Sequence, residues 1–267
     1  MDKNTKINRL RWNEATSIHE KSDFYDVEGF KAGKSTLKSI ELVELGDLEG
    51  KSILHLQCHF GLDSLSLARM GAKVTGVDLS DEAIELAKKL SNETGVHADF
   101  ICADILQLPD VLDRQYDIVY TSYGVLCWIS DLNLWGSIIA KYLKPEGIFF
   151  MVEGHPIGNI LEYNTITQKF EVEYNYFFTD PILCRSNTTY GDRSVLMENE
   201  EFYQWDHSVG EILNSLIKNG LYILKFDEYP YSAYEKFEGK MIYENDGWWK
   251  IKDEVKIPLL FSVKATK

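Results

Sequence analysis

Cysteine is scarce and scattered in this chain of 267 residues. Cys58, Cys102, Cys127 and Cys184 form no Cys-x-x-Cys pair, so neither a disulfide framework nor a zinc knuckle is indicated, and no metal site is expected. A reducing cytoplasm fits such thiols. Long apolar runs are missing too. Residues 147–152 and 257–263 are strand-sized, far short of the ~20 residues that cross a bilayer, and the charged N-terminal stretch holds no signal-peptide core. No membrane partner is expected. Basic charge is in deficit, with 28 Lys and Arg against 42 Asp and Glu, a net charge of −14. A chain of that sign does not hold phosphate backbones by general attraction, so nucleic acid is an unfavoured partner. Internal repeats, low-complexity tracts and Gly/Ser linkers are also lacking. What remains is 45% hydrophobic and 26% charged, the ordinary composition of a globular domain of enzyme size.

The centre of the chain alternates apolar strand-like runs with segments of helical period, the order that signals a parallel sheet covered by helices. Strands are expected at 51–56, 73–78, 98–102, 116–121 and 147–153. Between them Ser80 is a plausible N-cap, with Asp81 and Glu82 at the positive end of the helix dipole and a helix running to about residue 91. Trp135, Ile138, Ile139, Tyr142 and Leu143 recur at helical spacing, and Pro145 and Gly147 end that helix. After residue 153 the rhythm breaks into short polar and aromatic stretches until about 207. Helical period then returns behind the capping-box pattern Ser208-Val-Gly-Glu211. Runs at 221–228 and 258–265 read as a closing antiparallel pair.

The first strand, a turn, a helix and a second strand ending in Asp78 have the layout of a nucleoside site on an open α/β sheet. The acid at the second strand's end suits ribose hydroxyls, and the turn underlies the ligand. The turn reads Leu56-Gln-Cys-His-Phe-Gly61. With a single glycine it is poorly suited to bring backbone amides up to a pyrophosphate.

These residues resemble the class I S-adenosylmethionine-dependent methyltransferases, in particular a bacterial branch of that family. Residues 53–61 sit where the family has its glycine-rich first motif, and Val74-Thr-Gly-Val-Asp-Leu-Ser80 resembles the second. Phe100-Ile-Cys-Ala-Asp-Ile105 is similar to the third, 116–122 to the fourth-strand motif, and Leu143-Lys-Pro-Glu-Gly-Ile148 to the turn into the fifth strand. The resemblance implies a Rossmann-like, seven-stranded, mostly parallel sheet with helices on both faces, an antiparallel last strand and a β-rich insertion. It implies S-adenosylmethionine as cofactor, held by Gln57, Cys58, His59, Gly61, Asp78, Leu79, Asp104, Ile105 and Ser122. Asp78 would take the ribose and Asp104 the adenine amino group, with Leu79 and Ile105 on the ring faces. His55 stands where the family often carries an acid, and Gln57 and His59 stand at positions usually glycine. One or both of these side chains are expected to meet the charged ends of the methionine moiety.

Methyl transfer is an in-line displacement, so alignment in a dry pocket supplies much of the catalysis, and a base matters only when the acceptor must lose a proton. The catalytic candidates are His155, at a strand carboxyl end, His207, just before a helix start, and Tyr123, just past the fourth strand. Each has a structural counterpart: a turn for His155, a helix start for His207, packing for Tyr123. The expected organisation is an N-terminal helical segment over residues 1–48 closing the pocket, then a methyltransferase domain over 49–267 with an inserted cap at about 156–207. Residues 160–206 carry nine acids against three bases and ten aromatics. The alternating residues 171–176 suggest a strand in a small antiparallel sheet. As a lid, the segment would favour a neutral or cationic acceptor over a phosphorylated one.

The family's nucleic-acid amino-methylating signature and a cytosine-type Pro-Cys pair are both missing. The expected function is therefore methyl transfer to an oxygen or nitrogen of a small molecule. The alternatives are a nicotinamide-dependent oxidoreductase, which wants the missing glycines, and a non-catalytic binder of the same cofactor.

Overall fold

The computed structural model describes residues 1–252 and 256–267. Three helices lead the chain: α1 (Lys3–His19), α2 (Val27–Lys31) and α3 (Ser39–Leu45). Then strands and helices alternate as β1 (Ser52–Leu56), α4 (Leu62–Arg69), β2 (Lys73–Asp78), α5 (Asp81–Thr94), β3 (Asp99–Cys102), β4 (Tyr116–Ser122), α6 (Leu132–Tyr142) and β5 (Leu143–Gly154). Four short strands follow: β6 (Leu161–Asn164), β7 (Lys169–Val172), β8 (Ile182–Arg185) and β9 (Glu201–Gln204). The chain closes with α7 (Val209–Lys218), β10 (Tyr222–Tyr229), β11 (Met241–Tyr243), β12 (Trp249–Ile251) and β13 (Leu260–Thr266).

The main sheet has the order β10-β13-β5-β4-β1-β2-β3. Strands β1 to β5 pair in parallel, and β13 runs antiparallel to both of its neighbours, β5 and β10. The expected Rossmann-like sheet is borne out. Because the chain steps outward one way through β1, β2 and β3 and the other way through β4 and β5, the order reverses between β1 and β4. Such a switch point opens a crevice at the strand carboxyl ends, where ligands bind in open α/β sheets.

Strand periodicity sorts the apolar side chains onto two faces. Leu54, Val119, Phe149, Met151 and Val263 meet Trp135, Ile138, Ile139 and Tyr142 of α6 and Leu216 of α7. Their neighbours Ile53, Ile118, Tyr120, Phe150 and Val152 face the other way onto Leu37, Ile40 and Leu67. Ser80 caps α5 by accepting from the Ala83 N–H, and Ser208 and Glu211 form the reciprocal capping box of α7.

Residues 156–207 hold two hairpins, β6–β7 and β8–β9. Tyr163 and Phe170 face each other across the first, with ring centroids 5.3 Å apart, the aromatic pairing that stabilises an isolated hairpin. The strand expected over 171–176 stops at Val172. Beyond it the N–H groups of Glu173 and Tyr174 both donate to the Ile160 carbonyl, at 2.8 and 3.3 Å, so the chain curls back onto the start of the hairpin. The fifth strand also begins earlier than expected, at Leu143. Lys144 in that extension is held by Asp117 of β4 at 2.9 Å.

Candidate active site

The turn from β1 to α4 is built from three left-handed residues in alternation: Gln57 (φ 56°), His59 (φ 50°) and Gly61 (φ 78°). Gly61 needs its hydrogen, because a Cβ there would lie 2.6 Å from the Phe100 ring. Gln57 and His59 carry full side chains in the same backbone region, a strain of about 1–3 kcal/mol each. Cross-bonds hold the turn in this shape. The Cys58 N–H donates to the Val77 carbonyl at 2.9 Å, and the His59 N–H donates to the Asp78 carboxylate at 2.7 Å. Asp78 also accepts from the Ser80 N–H at 2.9 Å. Burial pushes its carboxyl up to about 6 despite these donors.

Asp104 and Ile105 join this group through the backbone, since the Ala103 N–H donates to the Asp78 carbonyl at 2.9 Å. Asp104 accepts from the Leu106 N–H at 3.0 Å and so caps a short 3-10 helix, while Ile105 is buried and Leu79 half-buried. From β4, the Ser122 hydroxyl lies 3.4 Å from Asp63 of α4. The nine residues expected around the cofactor thus lie along the carboxyl ends of β1, β2, β3 and β4. The Gln57 amide donates from Nε2 to the Val125 carbonyl at 2.9 Å, but its Oε1 is buried without a partner among the described residues, and so is His59 Nδ1.

The three catalytic candidates each have partners of their own. His155 is buried, accepts from the Ile157 N–H at 3.1 Å through Nδ1, and meets Glu228 at 2.9 Å through Nε2. His207 Nε2 donates to the Ile129 carbonyl at 2.8 Å. Tyr123, left-handed at φ 36°, follows Ser122 at the end of β4 and donates its phenol to Glu41 at 2.9 Å.

Several residues here escape sequence reasoning. Glu41 of α3 is fully buried, and Tyr120 also points at it, 3.5 Å away. Burial, with Asp63 nearby, pushes its carboxyl up to about 7. Glu153, at the end of β5, collects the N–H groups of Gly124, Val125 and Leu126 and thereby shapes the loop after β4. On the other side, α1 binds the insertion. The Arg11 guanidinium donates to the carbonyls of Ser186, Thr188 and Asn199 at 2.7–2.8 Å, and Glu14 accepts from the backbone of Glu198 and Asn199. Arg9 and Asn13 of the same helix hold Asp81 at the start of α5. His19, the last residue of α1, touches His59 at 2.9 Å and Thr189 at 2.6 Å.

Residues 54–151, the stretch from β1 into β5, match the family model described as a methyltransferase domain. Over that stretch the chain is similar to a methyltransferase domain. Among relatives of the domain is a ubiquinone biosynthesis O-methyltransferase of Idiomarina loihiensis, 36% identical over 122 residues, which are 43% of this chain and 50% of that protein. A protein of the same name from Proteus mirabilis is 30% identical over 153 residues, 51% and 62% of the two chains. The match therefore spans about half the length of such relatives. A solved S-adenosylmethionine-dependent methyltransferase of Mesorhizobium loti shares the fold, with a TM-score of 0.58, 21% identity and coverage of 83% and 93%. So does magnesium protoporphyrin IX methyltransferase of Synechocystis PCC 6803, with a TM-score of 0.54, 15% identity and coverage of 100% and 98%. Helices α1 to α3 precede the matched stretch, and the two hairpins follow it, between β5 and α7.

Proposed function

We propose that this chain transfers the methyl group of S-adenosylmethionine to a hydroxyl oxygen of a small, unphosphorylated acceptor. The observation that carries the reading is the bonded pair of turn and acid. Asp78 ends β2 with its carboxylate against the β1–α4 turn, as a ribose-binding acid requires. The residues fit the cofactor. Asp78 has acceptor capacity beyond its two N–H donors, Gly61 leaves the turn without a Cβ where it closes on Phe100, and Gln57 Oε1 and His59 Nδ1 are polar atoms buried without partners. Leu79 and Ile105 would flank the adenine, Asp104 would accept from its amino group, and Cys58 and Ser122 would border the methionine end.

When bound, S-adenosylmethionine supplies an electrophilic methyl group on a sulfonium. The chain's part is to hold that group in line with the acceptor oxygen and keep water out. For a hydroxyl acceptor, the proton path we assign starts at Tyr123, whose phenol lies beside Ser122 in sequence and against a buried carboxylate, Glu41. With its carboxyl near 7, Glu41 is matched to receive a proton through Tyr123 at neutral pH. His155 and His207 are assigned to supporting turns through the bonds described above. The relatives' names favour an oxygen acceptor over nitrogen.

Calorimetry with S-adenosylmethionine and S-adenosylhomocysteine tests the cofactor, with binding expected at micromolar ligand. Labelled methyl transfer to a panel of phenols and catechols tests the acceptor class. No binding of either nucleoside, together with binding of a nicotinamide dinucleotide, would return the reading to an oxidoreductase. Tight binding with no turnover on any acceptor would make the chain a binding protein.

A further inference from the structure

Gln57 and His59 stand two residues apart on one turn, both left-handed, and each ends in a buried polar atom without a partner among the described residues. Such atoms are rare in folded proteins, and each one left unmade costs about 1–3 kcal/mol. The two differ in what they can accept. Gln57 is already committed, since its Nε2 donates to Val125, so the free atom is the oxygen and needs a donor. His59 is open to either role, because its Nε2 meets His19 Nδ1 and the direction of that bond depends on which nitrogen carries the proton. Burial lowers the proton affinity of both rings, taking His19 to about 4 and holding His59 well below the usual imidazole range. Each is therefore neutral, with one N–H to place.

We propose that Gln57 Oε1 and His59 Nδ1 form a site for an α-amino-acid zwitterion, the ammonium on Gln57 and the carboxylate on His59. The inference rests on the cofactor reading above and names which side chains hold the methionine end. Fixing the ammonium on Gln57 leaves the carboxylate for His59, which must then present Nδ1–H. Every later proton follows from that choice. His59 Nε2 becomes an acceptor, so His19 Nδ1–H donates to it. His19 Nε2 is then an acceptor, and it takes the hydroxyl proton of Thr189, 2.6 Å away. Thr189 lies in the insertion and is buried. One run of three hydrogen bonds thus ties the ligand's carboxylate to α1 and to the insertion. An occupied site orders the chain Thr189, His19, His59 in a single direction, whereas an adenosine without an amino-acid end leaves it free to run either way.

Two ligands separate this from the cofactor reading: S-adenosylhomocysteine, which has the amino-acid end, and 5′-methylthioadenosine, which has the same nucleoside and thioether without it. By calorimetry, Gln57→Leu and His59→Phe are expected to weaken S-adenosylhomocysteine about tenfold or more, the worth of one charged hydrogen bond, and to leave 5′-methylthioadenosine within about twofold. Thr189→Val should weaken the first ligand selectively and by less. In protein labelled with nitrogen-15 at histidine, adding S-adenosylhomocysteine should make His59 Nδ1 a protonated, hydrogen-bonded nitrogen. The proposal is overturned if the variants weaken both ligands equally or neither, or if His59 Nδ1 stays bare in the complex. Wild-type protein that binds neither ligand overturns the cofactor reading and this site with it.

Discussion

Buried carboxylates give the site its pH behaviour. Glu41 titrates near 7 in the folded chain against about 4.5 when exposed. Between those values the unfolded chain has lost a proton that the folded chain keeps, so this residue makes stability fall as pH rises from about 4.5 to about 7. Glu41→Gln is expected to remove that decline, making the variant more stable than wild type at pH 8 by chemical denaturation. It should also slow methyl transfer to a phenol most at neutral pH. Asp78→Ala should weaken adenosine-containing ligands about tenfold or more by calorimetry, by the loss of hydrogen bonds to a charged group. Asp78 is legible in the sequence because the spacing of strand, turn, helix and strand fixes what stands at the second strand's end. Glu41 is not. In Ser39-Ile-Glu-Leu-Val-Glu-Leu45 it is one acid on a short helix, and it is the packing of α3 under Tyr120 and Tyr123 that takes it out of water.

At the level of elements, the β1–α4 turn and the loop after β4 are the two pieces whose shape the site depends on. Gly61→Ala would meet both a left-handed backbone and the Phe100 ring, so a loss of about 2 kcal/mol or more in stability is expected by denaturant titration. Glu153→Ala would orphan the N–H groups of Val125 and Leu126. It should cost about 1–3 kcal/mol for each group left without a partner and weaken acceptor binding more than cofactor binding. The parallel strands and α5, α6 and α7 are readable because their apolar period, caps and stop residues agree with one another. The insertion is less so. Alternation at 171–176 carries the strand four residues past its observed end at Val172, since the Ile160 carbonyl captures the backbone of Glu173 and Tyr174 instead, a contact no local pattern encodes. The bonds from α1 to the insertion are equally hidden, because Arg11 and Glu14 find their partners about 175 to 190 positions away.

For the molecule as a whole, the charge of −14 acquires a location. Nine of its acids lie in residues 160–206, in the segment that α1 ties to the site. A phosphorylated analogue of any accepted phenol should be methylated at least about tenfold less efficiently. The gap should narrow as salt is raised, because the repulsion of exposed charges is screened beyond about 8–10 Å. Equal kcat/KM for the two at low ionic strength would remove the insertion's acids from the account of specificity. Arg11→Ala, which releases three carbonyls of the insertion, should speed proteolytic cutting within residues 186–205 while leaving the sheet's thermal unfolding largely unchanged.

The position of β13 has a consequence for how the chain is made. It is the last strand in sequence, yet it lies inside the sheet, between β5 and β10. During synthesis β5 and β10 therefore emerge with no strand between them, and their open edges persist until residues 260–266 have left the ribosome. Unpaired edges of that kind invite pairing with other chains. For this protein the hazardous interval lasts until β13 has been made, and removing that strand would make the interval permanent.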